Sequence, residues 1–369
     1  MTDTPCKKLQ ALLDTAPTGG ICPGAVLAIV MPGQETRFFT SGNLMFAEGE
    51  PFSENCIFDM ASITKVIATT TIAMLLVDKG ILDLDKPVVD FLPDAFPDSH
   101  YRNAVTPRML MAHCSGLPAG AQFFIKYETM DGIEEKKRIV RSTALVSQPK
   151  SATVYSDIGM MIMAQIIESL AGKQLDVLSK ELIFKPLGMP YTSFCPVAMP
   201  GCHFVPTEEI AGNPGHYWTG IVHDENARWL GGVAGHAGLF STAGDLGIFA
   251  TMMLCNGKAN GKQFICPATI AAFTTKAGLQ PDSSRCLGWD GLSNGCAGGL
   301  YASPESYGHT GYTGTSIWMD KPQNIAAILL TNAVHPHRAC KQNGYFKWRN
   351  TVHTCAYGLL GQNPNSSRE

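Results

Sequence analysis

The stretch of sequence that decides the fold is residues 58–80, FDMASITKVIATTTIAMLLVDKG. Ser62 stands where a helix can begin, and Gly80 stands where one can end. The residues between them are apolar on almost every face, which predicts a helix buried in the core and not one at the surface. Ser62 and Lys65 are three residues apart, so on a helix they share one face and the amine can reach the hydroxyl.

This pair has the chemistry of an activated nucleophile. A serine hydroxyl is a weak nucleophile until a neighbouring base takes its proton. Burial disfavours the charged form of a lysine and lowers its pKa, so we expect Lys65 to be available as a neutral general base for Ser62. The positive end of the helix would also lie at the Ser62 N–H.

The Ser-x-x-Lys pattern is not specific by itself. With 21 serines and 18 lysines in 369 residues, it is expected about once by chance and it occurs twice, the second time at Ser147 and Lys150. That second copy flanks a proline in a polar connector, where no helix would hold the two side chains together. A helix-capping serine followed by a surface lysine explains Ser62 and Lys65 equally well at this point.

Two further motifs follow in order. Tyr155-Ser156-Asp157 heads the apolar run VYSDIGMMIMAQIIESLAG, and His309-Thr310-Gly311 lies in SYGHTGYTGTSIWMD. Taken alone, the first is an ordinary helix start and the second contains an ordinary strand histidine. Together with Ser62 and Lys65, they resemble the motif set of serine β-lactamases, penicillin-binding DD-peptidases and their esterase relatives.

The resemblance extends over most of the chain, from about residue 21 to 336. Tyrosine at the head of the second motif is similar to the class C β-lactamase and DD-carboxypeptidase branch. Four framing segments are similar as well: MLMAHCSGLP, GGVAGHAGLFST, LGWD and LLTNAVHP. Three ordered motifs with their frames are far more specific than any one of them.

The resemblance implies a role for each motif residue. Ser62 is the acylated nucleophile, Lys65 its general base, and Tyr155 a proton shuttle whose phenol pKa, ordinarily about 10, is lowered by nearby cations. The backbone N–H groups of Ser62 and Tyr312 form the oxyanion hole. The resemblance assigns substrate binding to Asp157, His309, Thr310 and Gly311, and it also implies that Trp289 and Tyr312 border the acyl pocket.

Two residues depart from the family pattern. Asp157 replaces the usual asparagine, which weakens hydrogen bonding to a substrate carbonyl unless the carboxylate pairs with Lys65. His309 replaces the usual lysine and is only partly charged near pH 7, so it holds a substrate carboxylate less firmly. Both changes favour an esterase or a D-amino-acid peptidase over an efficient β-lactamase.

The pattern of elements predicts an α/β fold of the α+β type. Strands GAVLAIV and TRFFTSG form a hairpin near the start. Strands return near the end at RCLGWD, SYGHTG, TSIWMD and NIAAILLTN, and three of these follow at short spacing, as in an antiparallel meander. Helical patterns fill the middle. We expect a β-lactamase/transpeptidase-like fold, in which residues 1–83 and 225–369 form one lobe with an antiparallel sheet, residues 84–224 form a mostly helical inserted lobe, and the active site lies between them.

The composition of the chain limits which binding partners and which cellular compartment we expect. The net charge is −3, and Lys136-Lys137-Arg138 is the densest basic run, so a nucleic-acid partner is not indicated. The longest apolar stretch, residues 66–77, is too short to span a bilayer, and the first residues lack a secretory leader pattern. Twelve cysteines without a C-x-x-C pair indicate reduced thiols, which together with these features favours a cytoplasmic protein without a membrane partner.

We therefore expect a serine hydrolase that acts on an ester, peptide or amide through acyl-Ser62, with a small-molecule or peptide substrate and no cofactor or metal. An acyltransferase of the same fold stays open, and so does a sensor that is acylated and does not turn over. A metal-dependent amidohydrolase would need His216, His223, Asp224 and His236 as ligands, but these residues lack the spacing of a helical metal motif. The oligomeric state is not indicated.

Overall fold

The largest element of the fold is a seven-stranded antiparallel sheet made from both ends of the chain. The computed structural model describes residues 3–46, 48–293 and 297–358. The strands are β1 (Gly24–Val30), β2 (Arg37–Met45), β3 (Glu48–Pro51), β4 (Cys56–Asp59), β5 (Ser193–Phe194), β6 (His203–Phe204), β7 (Leu239–Ser241), β8 (Lys258–Ala259), β9 (Lys262–Gln263), β10 (Asp290–Gly291), β11 (Tyr307–Thr310), β12 (Ser316–Asp320) and β13 (Ile325–Thr331).

The sheet order is β10-β11-β12-β13-β1-β2-β3, so the first strand of the chain lies beside the last. Val26 of β1 lies opposite Leu330 of β13. Successive side chains of β1 point to opposite faces, and both faces are buried: Val26 belongs to one core cluster and Leu27 to the other. This double burial explains why GAVLAIV is apolar throughout.

Helices cover both faces of the sheet and build the middle of the chain. The α-helices are α1 (Asp3–Thr18), α2 (Thr71–Asp78), α3 (Val88–Phe91), α4 (Pro107–Met111), α5 (Phe123–Lys126), α6 (Ile133–Arg141), α7 (Asp157–Ala171), α8 (Leu175–Ser179), α9 (Lys185–Leu187), α10 (Glu225–Trp229), α11 (Ala243–Leu254), α12 (Pro267–Thr274) and α13 (Tyr345–Gly358). Two 3₁₀ turns (Ala61–Ile63 and Arg338–Gln342) and two π-helical segments (Lys65–Thr70 and Lys180–Phe184) complete the set.

Each face of the sheet at β1 is covered by a separate layer of helices. Helices α1 and α13 contact each other, and α1 also packs against β1 and β2 while α13 packs against β13. Helix α11 contacts both β1 and β13, and its side chains belong to the larger core cluster. The sheet is thus enclosed between two layers of helix, as the predicted α/β class requires.

The predicted buried helix runs from Ala61 to Asp78 as one 3₁₀ turn, one π-helical segment and α2. Residues 66–77 alone are too short to span a bilayer, but the whole helix, Ala61–Asp78, is the one helix in the described part of the chain that is long and apolar enough to do so. Of this helix, 83% is buried inside the protein. Such burial is that of a core helix. Gly80, with φ +65°, follows its end in a left-handed conformation that favours glycine.

The middle of the chain is mostly helical but does not stand apart from the rest. Strands β5 and β6, both within residues 84–224, join β4 and β7 in a four-stranded sheet of order β5-β7-β4-β6. This short sheet ties the helical region to the strand that precedes Ser62. The division of the chain at residues 84 and 224 stays a prediction.

One predicted strand is largely wrong. The segment RCLGWD contributes only its last residue, Asp290, to β10. Gly288 takes φ +78°, and a side chain there would lie 2.0 Å from Thr70 Oγ1 on the buried helix. The chain therefore turns against that helix, and a residue other than glycine would not fit.

Candidate active site

A strained turn presents Ser62 at the end of β4. Ala61 has φ +45°, a conformation that costs energy for a residue with a side chain. The buried carboxylate of Asp59 holds the turn, because Oδ1 accepts from Ala61 N at 2.8 Å and Oδ2 accepts from His223 N at 2.6 Å. Burial raises the pKa of Asp59, and these two N–H donors act against that rise. Ser62 is thereby fixed in the 3₁₀ turn that begins the buried helix.

Lys65 lies one turn after Ser62 and is completely buried. Its Nζ donates to Ser62 Oγ at 2.8 Å and to the carbonyl oxygen of His236 at 3.1 Å. It also forms an ion pair with Asp157, with 2.7 Å between Nζ and Oδ1. Ser62 and Lys65 share one face of the helix, as expected. The ion pair with Lys65 explains an aspartate at position 157, where the family usually has asparagine.

Two neighbouring groups oppose the effect of burial that was expected to make Lys65 a neutral base. Burial is the largest influence and does lower the pKa of Lys65, but the carboxylate of Asp157 and the phenol of Tyr155 together outweigh it. The pKa of Lys65 therefore lies above its ordinary value, and the amine is a cation near pH 7. In this state it donates a hydrogen bond to Ser62 and cannot take a proton from it.

Tyr155 stands directly before α7, which Ser156 caps by accepting from Gly159 N at 3.2 Å. Two cations flank the Tyr155 ring: Lys65 Nζ lies 4.9 Å from its centre and Arg285 Cζ lies 5.0 Å from it. A negative charge that develops on the Tyr155 oxygen would lie beside both.

Two histidine rings enclose Tyr155 on its other sides. The ring centre of His113 is 4.6 Å from that of Tyr155, and the ring centre of His309 is 5.9 Å from it. Burial lowers the pKa of both histidines well below the usual value, and the charges of Arg285 and Lys65 add to the effect. Both imidazoles are therefore neutral near pH 7.

The third motif lies at the end of β11, where His309 is paired with Ile317 of β12. His309 is 3% exposed, and its Nδ1 lies 2.8 Å from the carbonyl oxygen of Thr310. A carbonyl accepts only, so Nδ1 carries the proton and Nε2 keeps a free lone pair. His309 therefore carries no positive charge, which goes further than the partial charge expected from the sequence, and its Nε2 is buried without a hydrogen-bond partner.

Close backbone packing joins the third motif to the Ser62 turn. A side chain at Gly311 would lie 2.5 Å from the carbonyl oxygen of Met60, so only glycine allows this approach. Thr313 Oγ1 donates to the Asp59 carbonyl at 2.8 Å, and Thr315 Oγ1 donates to the Met60 carbonyl at 3.1 Å. These contacts bring Tyr312, the residue after Gly311, to the cleft beside Ser62.

The predicted residues surround a cleft of about 480 Å³. Its lining includes Ser62, Tyr155, His309, Thr310, Gly311 and Tyr312, whereas Lys65 and Asp157 are not among the residues that line it. Trp289 was expected to border the acyl pocket, and that expectation is wrong. Its side chain is fully buried between Phe249 and Tyr307.

Sequence reasoning missed several charged residues of the cleft. Arg285, Asp290, Lys341 and Arg349 all line it. Arg285 pairs with Asp290, with 3.6 Å between Nη1 and Oδ2. Asp290 ends the framing segment LGWD, but Arg285, Lys341 and Arg349 belong to no motif, so only the folded chain shows that they lie near Ser62.

The histidines considered as metal ligands have other partners. His223 Nε2 lies 2.9 Å from Glu208 Oε2, and His236 Nε2 lies 2.9 Å from Asp224 Oδ1. Within residues 3–46, 48–293 and 297–358, no three His, Cys, Asp or Glu side chains are grouped as a metal site would need. The metal-dependent alternative has no candidate site in this part of the chain.

The chain is similar to known proteins over most of its length. The family model described as Beta-lactamase matches residues 9–347. A protein of Escherichia coli strain K12, described as "Putative D-alanyl-D-alanine carboxypeptidase", is 32% identical over 323 residues, which cover 80% of this chain and 73% of that protein. A protein of Salmonella typhimurium with the same description is 33% identical over 325 residues, with the same coverage.

Solved structures are similar in fold. EstCE1, described as a hydrolase with promiscuous acyltransferase activity, has a TM-score of 0.73 at 21% identity, over 95% of this chain and 98% of its own. An octameric penicillin-binding protein homologue from Pyrococcus abyssi has a TM-score of 0.72 at 20% identity, over 99% of this chain and 79% of its own. At these identities the likeness concerns the fold alone, and it confirms the predicted β-lactamase/transpeptidase-like architecture. With the family model and the curated relatives, it leads to one conclusion: the chain belongs to the Beta-lactamase family and is a serine hydrolase.

Proposed function

We propose that this hydrolase cleaves peptides and esters whose leaving group carries a carboxylate, such as a terminal D-amino acid, through an acyl-Ser62 intermediate. The observation that carries the proposal is the hydrogen bond of 2.8 Å from Lys65 Nζ to Ser62 Oγ, at a cleft that Tyr155 also lines. A charged donor on the attacking oxygen stabilises the negative charge that forms there.

The proposed acylation starts with attack by Ser62 Oγ on the substrate carbonyl carbon. The Tyr155 oxygen takes the hydroxyl proton while its own phenol proton passes to the leaving nitrogen or oxygen, as the bond between that leaving atom and the carbonyl carbon breaks. Lys65 stays protonated throughout and stabilises both oxygens. The general-base role expected of Lys65 thus passes to Tyr155, because the Asp157 carboxylate keeps Lys65 charged. Water then hydrolyses the acyl-serine.

The backbone amides of Ser62 and Tyr312 are the proposed oxyanion hole. Both residues line the cleft, while the neighbouring amides of Ile63 and Gly311 already donate to Met60 O at 3.0 Å and to Thr315 O at 2.7 Å. We place the reaction between the two lobes, residues 1–83 with 225–369 and residues 84–224. Ser62 belongs to the first of these lobes and Tyr155 to the second, which supports this placement of the reaction.

The leaving-group carboxylate is assigned to Arg285. The guanidinium lies beside Tyr155, the proposed proton donor to the leaving group, whereas His309 is neutral and cannot supply the charge. Arginine binds carboxylates with two parallel N–H donors. The description of the Escherichia coli relative makes peptides ending in D-alanine the first substrates to test.

We propose that esters and D-amino-acid peptides are turned over faster than β-lactams. The asparagine usual at position 157 would present an amide donor to the carbonyl of a β-lactam side chain. Asp157 presents no donor, and its carboxylate is engaged with Lys65.

The test is a turnover panel on wild type, Ser62→Ala and Arg285→Met. The substrates are a short p-nitrophenyl ester, a chromogenic cephalosporin, and an acyl-D-alanyl-D-alanine peptide with either a free or an amidated C-terminus. We expect Ser62→Ala to lose all turnover, ester turnover to exceed cephalosporin turnover, and Arg285→Met to lose the preference for the free C-terminus. Arg108→Met, which removes an arginine paired with Asp85 outside the cleft, is the matched control.

Full activity of Ser62→Ala would overturn the nucleophile assignment. Cephalosporin turnover above ester turnover would contradict the ranking of substrates. An unchanged preference for the free C-terminus in Arg285→Met would show that the carboxylate lies elsewhere.

We also propose that the protein works in a reducing compartment, the cytoplasm. All eleven cysteines in the described part of the chain are free thiols. Burial raises the pKa of Cys286 to about 12 and that of Cys114 to about 11, so both thiols stay protonated and unreactive. Thiol titration of the unfolded protein, purified without reductant from fractionated cells, should find twelve free thiols in the cytoplasmic fraction. A titration in which two or more of the twelve thiols are not free would contradict a reducing compartment.

A further inference from the structure

Lys341 lies at the end of the cleft next to Tyr312 and belongs to no motif. It is in the 3₁₀ turn Arg338–Gln342 and is only 7% exposed, yet it lines the cleft. Its Nζ donates to the carbonyl oxygen of Tyr312 at 2.5 Å. An ammonium group has three donors, so this bond leaves two for other partners.

Aromatic rings surround the ammonium group of Lys341. Its Nζ lies 4.5 Å from the ring centre of Tyr312, 5.3 Å from that of Phe346 and 5.8 Å from that of Tyr345. Tyr312 and Phe346 are themselves half exposed, at 50% and 45%, and both line the cleft. A cation that is fixed and partly removed from water attracts an anion more strongly than a solvated one does.

The charges of the cleft are unevenly distributed. Among the described residues that line it, Asp290 is the single carboxylate, and it pairs with Arg285. Lys341 and Arg349 also line the cleft, and no second carboxylate lies among its described lining residues.

The proposed chemistry tells which part of a substrate reaches Lys341. Tyr155 delivers the proton to the leaving group, so the leaving group lies on the side of Tyr155 and Arg285. Lys341 is bonded to Tyr312, whose backbone N–H is the second proposed donor of the oxyanion hole. With the leaving group beside Tyr155 and Arg285, we assign the acyl portion of the substrate to the part of the cleft that Tyr312 and Lys341 line.

We propose that Lys341, with the rings of Tyr312 and Phe346, forms an acyl-side subsite that binds an anionic group, a carboxylate carried by the acyl portion of the substrate. This inference rests on the proposed function and adds the substrate class on the acyl side. The aliphatic chain of the acyl group packs on the two exposed rings, and its carboxylate accepts from the two remaining donors of Lys341. The preferred substrates then carry one carboxylate on each side of the scissile bond.

A purely structural role for Lys341 would give a different result. If it served only to hold the Tyr312 carbonyl, its removal would slow all substrates to the same extent, because every substrate uses the same oxyanion hole. A binding role predicts a loss confined to anionic acyl groups. The ratio of two substrates therefore separates the two roles.

The experiment compares p-nitrophenyl hydrogen adipate, whose acyl chain ends in a carboxylate, with its methyl ester, which has the same chain and leaving group without the charge. The readout is the ratio of the two kcat/KM values, each corrected for turnover by Ser62→Ala. We expect wild type to prefer the acid by about tenfold or more, the usual strength of a charge-assisted pair shielded from water. Lys341→Met should bring the ratio close to one.

Lys347→Met is the matched control, because Lys347 is an exposed lysine of α13 outside the cleft lining. It removes the same charge nearby, and we expect it to keep the wild-type ratio. A wild-type ratio near one, or an unchanged ratio in Lys341→Met, would overturn the subsite alone. Equal hydrolysis of both esters by wild type and Ser62→Ala would overturn the proposed function as well.

A second measurement needs no variant and stands even where Lys341→Met fails to fold. Burial lowers the pKa of Lys341 to about 8, and the charge of Arg349 adds to this. The groups that face Lys341 are Arg349, Tyr312 and Tyr345, and burial raises the pKa of Tyr345 to about 12. The ammonium form exists below its pKa, so the preference of wild type for the acid should be full at pH 6 and fall as the pH passes about 8. A preference unchanged between pH 6 and pH 9.5 would contradict the assignment to Lys341.

Discussion

The replacement Asp157→Asn restores the asparagine usual in the family and removes the anion that keeps Lys65 charged. Lys65 is fully buried, and the Asp157 side chain is 34% exposed. In the variant, burial becomes the dominant influence on Lys65 and favours the neutral amine. We therefore expect the pKa of Lys65 to fall.

The size of the change follows from the ion-pair distance of 2.7 Å. Coulomb's law gives about 1.5 kcal/mol in water and about 6 kcal/mol at an effective dielectric constant near 20. Because one third of the carboxylate is in contact with solvent, the lower part of this range applies, and we take about 2 kcal/mol. That corresponds to a roughly thirtyfold lower proton affinity of Lys65.

The assay is the pH profile of kcat/KM on a short p-nitrophenyl ester, corrected with Ser62→Ala. If the cationic form of Lys65 is the active one, activity is lost at alkaline pH as Lys65 deprotonates, and this loss should begin about 1.5 pH units lower in Asp157→Asn. Glu168→Gln is the matched control, since Glu168 pairs with Lys137 at the same distance of 2.7 Å outside the cleft. It should keep the wild-type profile.

Two results would refute the reasoning. An alkaline limb that does not move would mean that Asp157 does not set the charge of Lys65. Activity that instead rises earlier on the acid side in Asp157→Asn would mean that the neutral amine is the working base, as the sequence alone suggested.

Three further outcomes follow from the geometry. Gly311→Ala should destabilise the protein by about 1–3 kcal/mol in urea unfolding and lower turnover. The added methyl would lie 2.1 Å from Thr315 Oγ1 and 2.5 Å from the Met60 carbonyl oxygen. The control Gly120→Ala, whose methyl meets nothing within 4 Å, should change neither stability nor turnover. The ¹⁵N NMR signals of His309 should show a neutral ring with the proton on Nδ1 from pH 5.5 to 8, and titration near pH 6.5 would contradict its burial between Lys65 and Arg285. Asp59→Asn should lower kcat more than it raises KM, since it loosens the Ala61 turn without touching substrate, and a change confined to KM would argue against that role.

The sequence predicted those parts of the site in which chemistry imposes a local pattern. Ser62 and Lys65 are recognisable because a helix brings residues three apart together, and Tyr155 and His309 are recognisable because they follow in a fixed order. The hairpin of β1 and β2 was predictable from its apolar run and turn residues. Each motif and the hairpin is a short-range signal, and the motifs with their order along the chain were sufficient for the family and the fold.

The properties that sequence reasoning missed depend on residues far apart in the chain. The apolar run around Lys65 shows that it is buried, but not that the Asp157 carboxylate lies 2.7 Å from its amine. Arg285 and Lys341 carry no motif, and only the turn at Gly288 and the 3₁₀ turn before α13 bring them to the cleft. The prediction of a strand at RCLGWD was largely wrong for a similar reason, because the contact between Gly288 and Thr70 overrides the β pattern of that segment.

The central claim is that Ser62 is acylated, and intact-protein mass spectrometry after treatment with a fluorophosphonate tests it most directly. Ser147→Ala, which removes the serine of the other Ser-x-x-Lys copy, is the matched control for Ser62→Ala. We predict one adduct on wild type and on Ser147→Ala, mapped to the peptide that contains Ser62, and none on Ser62→Ala. An adduct of equal yield on Ser62→Ala, or its absence from Ser147→Ala alone, would contradict the account.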